Sequence, residues 1–427
     1  MVNLFQVLFF VSFVLFCGYM DFAQSVSYLL SLGHETLAMK LGLRNSELLF
    51  AALDNPQHAF PAVQIAGTNG KGSTAVMLDS ICRAAGIKCG LYTSPHLVSI
   101  TERIKISGVE ITREDFAACA TVVREAAEQL EARPTFFEQV TAIALLAFRN
   151  AGVEFAILET GLGGRLDSTT AAGARIVGIT SIGFDHEEYL GHTIESIAAE
   201  KAAIIRPGVR AVIGSQSEPA ALDVLLKRCE EVGVTPILAA SQSTDEIDLG
   251  LNGRHQLDNA AVAIAMAELL SAEGFVISRT AIRNGLKTAR HAGRLELIQH
   301  QPSILLDGAH NPAGAHSLRD YLDEIATRPL TLVFGAMRDK QLEQMGEILF
   351  PVADTLVLTG IDNVRSATIE QLQTVAVRFA RGKILTSESS AAALRIALAH
   401  TPVDGLICIA GSLYLIGEVR PLILNLS

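Results

Sequence analysis

The chain has 427 residues, 49% hydrophobic and 19% charged, which is enough apolar material for packed cores in two or three domains and excludes wholesale disorder. Its 34 Lys and Arg against 45 Asp and Glu give a formal net charge of -11, so there is no general attraction to a polyanion such as nucleic acid, and any phosphate must be held locally. The six cysteines (Cys17, Cys82, Cys89, Cys119, Cys229 and Cys408) are scattered, with no CxxC pair and no Cys/His ligand spacing, which argues against a zinc site and fits small buried hydrophobes in a reducing cytoplasm.

Residues 2–19 are almost wholly apolar, as an insertion signal or short membrane anchor would be. No Lys or Arg precedes Lys40, however, and no small-x-small cleavage pattern stands near Cys17 or Gly18. Met20 is followed at once by Asp21-Phe22-Ala23-Gln24, an Asp-x-x-Gln capping arrangement that opens an amphipathic stretch carrying Val26, Leu29 and Leu30. The folded part is therefore expected to begin at Met20, with residues 1–19 an upstream extension of little functional role. A membrane anchor is the alternative.

Short apolar runs then alternate with helical patterns: 62–66 then 74–85, 155–158, 176–182 then 194–205, and 211–213. A second series follows Arg294, with strands over 303–306, 331–334, 355–358, 384–386 and 406–410 separated by helical stretches. This is the rhythm of parallel sheets covered by helices, so the fold class is α/β in two domains, 20–292 and 293–427, joined near 291–294 where a glycine interrupts the pattern.

Between the first strand and its helix lies Gly67-Thr68-Asn69-Gly70-Lys71-Gly72-Ser73. Small residues let backbone N–H groups converge on phosphate oxygens at a helix N-terminus, Lys71 adds a point charge, and the Ser73 hydroxyl can ligate Mg²⁺. The loop is a nucleotide-triphosphate cradle, although Gly72 separates Lys71 from Ser73 and the strict GxxxxGK[ST] pattern is not met. Glu138 starts an apolar helix, where a carboxylate is favoured by the dipole and needs no further role. Lys201 falls on the apolar stripe of Ile194, Ile197 and Ile204, so it must snorkel, pair or be modified. Gly161 to Asp167 follows an apolar strand, at the edge where ligands bind in such folds; an Arg165–Asp167 turn pair and direct substrate contact are both open.

The Gly67–Ser73 variant resembles the nucleotide loop of the folylpolyglutamate synthase/dihydrofolate synthase family within the Mur ligases, and further blocks carry the resemblance from Met20 to the end. They are Thr93-Ser94-Pro95-His96-Leu97, Thr101-Glu102-Arg103, Phe137-Glu138, Glu159-Thr160-Gly161-Leu162-Gly163-Gly164-Arg165-Leu166-Asp167, Asp185-His186, Glu200-Lys201-Ala202, Asp307-Gly308-Ala309-His310-Asn311-Pro312 and Gly411-Ser412-Leu413-Tyr414. The resemblance implies a P-loop-containing Mur-ligase-like central domain with a parallel sheet and a smaller Rossmann-like C-terminal domain. It implies an ATP-dependent amide ligase adding L-glutamate to dihydropteroate, tetrahydrofolate or both, through an acyl phosphate. ATP would meet Gly67, Thr68, Asn69, Gly70, Lys71, Gly72, Ser73, Asn259, Arg294 and Asp307. One or two Mg²⁺ would meet Ser73, Glu138 and His186, and Lys201 if carbamylated; Lys71, Lys201 and His186 would serve catalysis.

The folate or glutamate cleft would draw on Ser94, His96, Arg103, Gly163, Arg165, His310 and Ser412, with His96 equally able to act as a capping residue. The resemblance further implies a cytoplasmic monomer with small-molecule partners and neither nucleic acid nor membrane. A ligase acting on a UDP-linked cell-wall precursor is the first alternative, opposed by the lack of a UDP-binding domain ahead of Gly67. A membrane-tethered nucleotide-binding protein without activity is the second.

Overall fold

The computed structural model describes residues 19–33, 42–240, 247–325 and 329–426. The apolar extension over 1–18 lies outside them. At the expected start, Met20 is buried and its amide donates to Thr121 Oγ1 at 3.1 Å, and the Asp21/Gln24 capping box closes both of its hydrogen bonds. Among the described residues, no helix is long and apolar enough to cross a membrane.

The first sheet uses β1 (Ala62–Ala66), β2 (Cys89–Tyr92), β3 (Ile104–Ile106), β4 (Val109–Glu110), β5 (Phe155–Glu159), β6 (Ile176–Ile179), β7 (Arg210–Ile213) and β8 (Ile237–Leu238), in the order β4-β3-β2-β5-β1-β6-β7-β8. From β2 to β8 the pairing is parallel, while β3 and β4 form an antiparallel edge. Every residue of β1 and β5 is buried, as strands covered by helices on both faces require. From β1 the chain continues to β2 on one side of the sheet, whereas from its neighbour β6 it continues to β7 on the other, and this switch point opens a crevice at the carboxyl ends of β1 and β6.

The second sheet contains β9 (Glu296–Ile298), β10 (Ser303–Leu306), β11 (Leu330–Phe334), β12 (Thr355–Thr359), β13 (Lys383–Ser387) and β14 (Leu406–Ala410), in the order β13-β12-β11-β14-β10-β9. All its pairs are parallel except β9 with β10. Thus the α/β class holds in both halves. The antiparallel edges β3–β4 and β9 escaped the periodicity reading because they are only two or three residues long, too short for a period to show.

The five cysteines among the described residues are free and buried, as small apolar residues are. The first unit packs two apolar layers on opposite faces of its sheet, and the second repeats that plan around β10, β11, β12 and β14.

Candidate active site

The Gly67–Ser73 loop leaves β1 at the switch point, and its helix spans Lys71–Ala84, so Lys71, Gly72 and Ser73 form the first turn rather than the approach expected before residue 74. Gly70 makes this possible with φ +89; a Cβ there would also come within 2.0 Å of Asn259 Oδ1. Gly67, at φ +152, lies so close to Thr180 Oγ1 that any side chain would collide. Thr180 Oγ1 donates to Asn69 O at 2.7 Å, and Lys71 Nζ curls back to Gly67 O and Thr68 O at 3.1 and 3.0 Å. The unbonded N–H groups of the first helical turn therefore face a cavity with a lysine held beside them.

That cavity is lined by all ten residues assigned to ATP, including Asn259 from the helix His255–Ala272, Arg294 from the segment between the sheets and Asp307 from the end of β10. His186 and Lys201 line it as well. Lys201 is 4% exposed, and burial, reinforced by the charge of Lys71 and opposed by Asp185, Asp167 and Glu200, pushes its ammonium pKa down to about 7. The buried stripe position thus neither snorkels to water nor pairs closely; it is poised near neutrality. His186 takes the left-handed conformation, φ 52, at the start of the short helix Glu187–Leu190; burial, against the pull of Asp185, lowers its imidazole to about 3 and leaves it neutral.

Glu138 does not join this group. It is the third residue of the helix Phe136–Ala151, accepts from Thr135 N at 2.6 Å in a capping box, and lines an adjoining cavity instead. The carboxylate that does line this cavity, against Gly72, belongs to Glu159 at the end of β5. A Cβ on Gly72 would lie 3.3 Å from both of its oxygens, it accepts from Ser94 N at 3.1 Å, and it is 5% exposed. Burial raises its pKa and lowers that of Lys71, each opposed by the other's charge. Glu159 sits in the quoted motif, but no spacing rule singles it out.

The adjoining cavity has an apolar wall of Phe137, Leu162, Leu190 and Met337, and reaches Ser94, Arg165, His186, His310 and Ser412. The Arg165–Asp167 pair does not form. Arg165 points outward and pairs with Glu200 at 2.9 Å, whereas buried Asp167 turns inward and accepts from the amides of Gly161, Leu162 and Thr169, the short path that satisfies a carboxylate in a tight turn. His96 and Arg103 brace the wall behind: Arg103 Nε donates to His96 Nδ1 at 2.8 Å, and the guanidinium lies 5.5 Å from the Phe136 ring centre. Neither these two nor Gly163, a left-handed turn residue against Leu190, lines either cavity.

Asp185 joins the two sheets. Its carboxylate takes Lys340 Nζ at 2.6 Å, Asn311 Nδ2 at 3.2 Å and His310 Nε2 at 3.4 Å, while Asn311 also donates to Asn69 in the nucleotide loop at 3.0 Å. Burial pushes the Asp185 pKa up, but the His310 hydrogen bond and the charge of Lys340 outweigh it and hold the group well below the usual carboxylate range. Replacing Asp185 by Asn leaves Lys340 without its carboxylate. Because the sheets can part and rehydrate it, the expected loss is about 2 kcal/mol, at the low end for a broken buried pair. Urea unfolding of the ligand-free protein measures this, and an unchanged midpoint would show that the pair adds nothing.

Among the described residues, no group of three or more His, Cys, Asp and Glu side chains is gathered to hold a metal unaided. The chain matches the Mur ligase middle domain over residues 65–267 and the Mur ligase glutamate ligase domain over 293–413. It is 34% identical over 417 residues to the dihydrofolate synthase/folylpolyglutamate synthase of Bacillus subtilis, covering 91% of this chain and 96% of that protein. Among solved structures it is similar to Escherichia coli FolC in complex with DHPP and ADP, with a TM-score of 0.84 at 32% identity over 95% of this chain and 98% of that one. It is also similar to the Yersinia pestis bifunctional synthase complexed with AMPPNP and a Mn ion, with a TM-score of 0.82 at 28% identity over 95% and 98%. With both halves matched and near-complete coverage of a relative 34% identical to it, the chain belongs to the folylpolyglutamate synthase/dihydrofolate synthase family of the Mur ligases.

Proposed function

We propose that this protein is an ATP-dependent ligase that joins L-glutamate through an amide bond to dihydropteroate and to reduced folates, with residues 20–292 holding ATP and the folate and residues 293–427 completing the site. The observation that carries the reading is the cavity itself. One wall is a phosphate-type loop with Lys71, the opposite wall brings Arg294 and Asp307 from beyond the first sheet, and the adjoining cavity is apolar enough for a flat pterin.

A carboxylate and an amine do not condense unaided in water. An oxygen of the acceptor's carboxylate attacks the γ-phosphorus, the bond to the β-phosphate oxygen breaks, and ADP leaves an acyl phosphate. The glutamate amine then attacks the carbonyl carbon and loses a proton, and collapse of the tetrahedral adduct expels phosphate. Lys71 and Arg294 balance charge on the transferred group, and the loop amides orient it, so catalysis is chiefly positioning and electrostatics. No side-chain nucleophile is needed.

The oxygen donors of Ser73 and Glu159 fit magnesium, which prefers oxygen ligands and binds through one or two protein groups together with phosphates and retained waters, while the His186 imidazole is an unusual ligand for it. Ser73, Glu159 and His186 would hold it, with Lys201 joining only as a carbamate; Glu159 is preferred to Glu138 in this role because it lines the nucleotide cavity against Gly72, whereas Glu138 lines the adjoining one. When bound, one or two ions supply charge neutralisation to the phosphate oxygens. The reading carries with it a cytoplasmic monomer acting on small molecules only.

Phosphate release by protein starting at Met20, with ATP, Mg²⁺ and glutamate, tests the assignment when dihydropteroate, tetrahydrofolate and no acceptor are compared and products weighed. Turnover is expected with both acceptors. Tetrahydrofolate alone would restrict the enzyme to polyglutamylation, and silence with both from folded protein would sink the folate assignment.

A further inference from the structure

Two side chains from distant parts of the chain meet the Ser73 hydroxyl. Gln256 Nε2, in the first turn of the helix His255–Ala272, donates to Oγ at 3.3 Å. His291 Nδ1, in the linker before β9, lies 3.3 Å from the same oxygen. The Gln256 amide is oriented by Asn259, whose Nδ2 donates to Gln256 Oε1 at 2.9 Å, so the NH₂ end is the one left for Ser73. A serine hydroxyl has one proton and two lone pairs. Gln256 takes one lone pair, and an imidazole protonated on Nε2 takes the proton at Nδ1. One lone pair is left over.

The same first turn of the Lys71–Ala84 helix brings the parties together: a Cβ on Gly72 would lie 2.8 Å from His291 Cε1 and 3.3 Å from each Glu159 oxygen. The linker that carries His291 is tied to the second sheet. Gly293 N donates to Glu296 Oε2 at 2.8 Å, and Arg420 of the last helix grips Glu296 at 2.7 and 2.9 Å. Displacing the second unit therefore pulls on His291.

We propose that His291 is a positioning residue for the nucleotide site: it holds the Ser73 proton so that the remaining lone pair faces the cation that accompanies the phosphates, and it makes this presentation depend on how the two sheets are placed. The proposal rests on the nucleotide reading of the Gly67–Ser73 loop. It assigns His291 no contact with substrate; its effect passes through Ser73.

Calorimetric titration with ADP, in Mg²⁺ and again in EDTA, tests it on the full chain without any folate acceptor. His291→Phe keeps a ring but loses the acceptor, and is expected to weaken ADP binding in Mg²⁺ about tenfold, the usual effect of losing a group that orients a metal ligand. In EDTA the same variant should bind within about twofold of the parent, since the loop amides are untouched. His291→Asn, whose Oδ1 can take the Ser73 proton, should recover most of the loss. In a Ser73→Ala background, His291→Phe should cost nothing further, because the two changes remove one interaction.

Unchanged Mg²⁺-dependent binding by His291→Phe would overturn the proposal, as would an equal loss in EDTA or an Asn variant as weak as Phe. Thermal midpoints show whether each variant is folded, and His291→Ala decides the question if Phe is not accommodated. A parent protein that binds Mg²⁺ and ADP but turns over no folate would sink the acceptor assignment and leave this test intact. A parent that binds no ADP would overturn both.

Discussion

Replacing Glu159 by Gln is expected to lower turnover by about 10³-fold, while Glu138→Gln lowers it by less than about tenfold, because only the first removes charge from the phosphate-handling cavity. The contrast follows from position. Glu159 ends β5 at the switch point, is 5% exposed and faces the turn that holds Ser73. Glu138 is equally buried, yet its carboxylate is engaged at its own helix start, through Thr135 N, and borders the adjoining cavity. Gln preserves the shape and the hydrogen bond from Ser94 N to Glu159 while removing the charge, so the loss should appear in kcat and in the Mg²⁺ dependence, with little change in the unfolding midpoint. Steady-state phosphate release over a range of free Mg²⁺ measures it. Equal losses in the two variants, or a larger loss for Glu138→Gln, would return the metal carboxylate to Glu138.

Lys201→Met carries the second large effect, an expected fall of about 10²-fold in turnover, comparable to losing one preorganised electrostatic group. Methionine matches the length and apolar stem of lysine, so the buried stripe position on the helix Ile194–Ala202 stays filled and the fold should persist. What disappears is a nitrogen whose pKa sits near about 7 through burial and the neighbouring Lys71 charge. The neutral amine can add its lone pair to the carbon of CO₂, forming a C–N bond and releasing one proton, to give a carbamate. The protonated amine cannot. Because burial lowers this pKa, the reactive form is lost as pH falls through about 7 and gained as it rises, so at fixed dissolved CO₂ the activity should climb over about one pH unit either side of that value. Isotopically labelled bicarbonate should place a carbamate carbon on the parent protein and none on Lys201→Met. A parent protein indifferent to CO₂, with no labelled carbon, would leave Lys201 acting as a free amine.

The nucleotide loop was legible because its determinants are contiguous. The apolar run of β1, the glycines that permit Gly70 at φ +89 and the amphipathic helix after Lys71 follow one another in the chain, and each has local physical meaning. The α/β class was legible for the same reason, since strand and helix periods are short-range patterns, and so was the Asp21 capping box. Where the determinants are non-local, the residues alone leave them open or pass them over. For Asp167 the residues leave a pair with neighbouring Arg165 and direct substrate contact both open, whereas the fold turns Asp167 inward to backbone amides and Arg165 outward to Glu200.

Telling Glu159 from Glu138 requires knowing which carboxylate lines the nucleotide cavity, and both look alike in sequence as acids bordering apolar elements. Asp185 meets Lys340 across 155 positions, and Ser73 meets His291 across 218. No periodicity spans such separations. The sequence by itself therefore determined the longer strands and helices, the phosphate loop and the family to which the chain belongs, because those reside in local patterns of residue size, charge and backbone freedom. Only the tertiary structure decided which buried charges face one another, because burial and proximity, which set the pKa of Lys201 and the partners of Asp185, arise when the two sheets close over the same cavity.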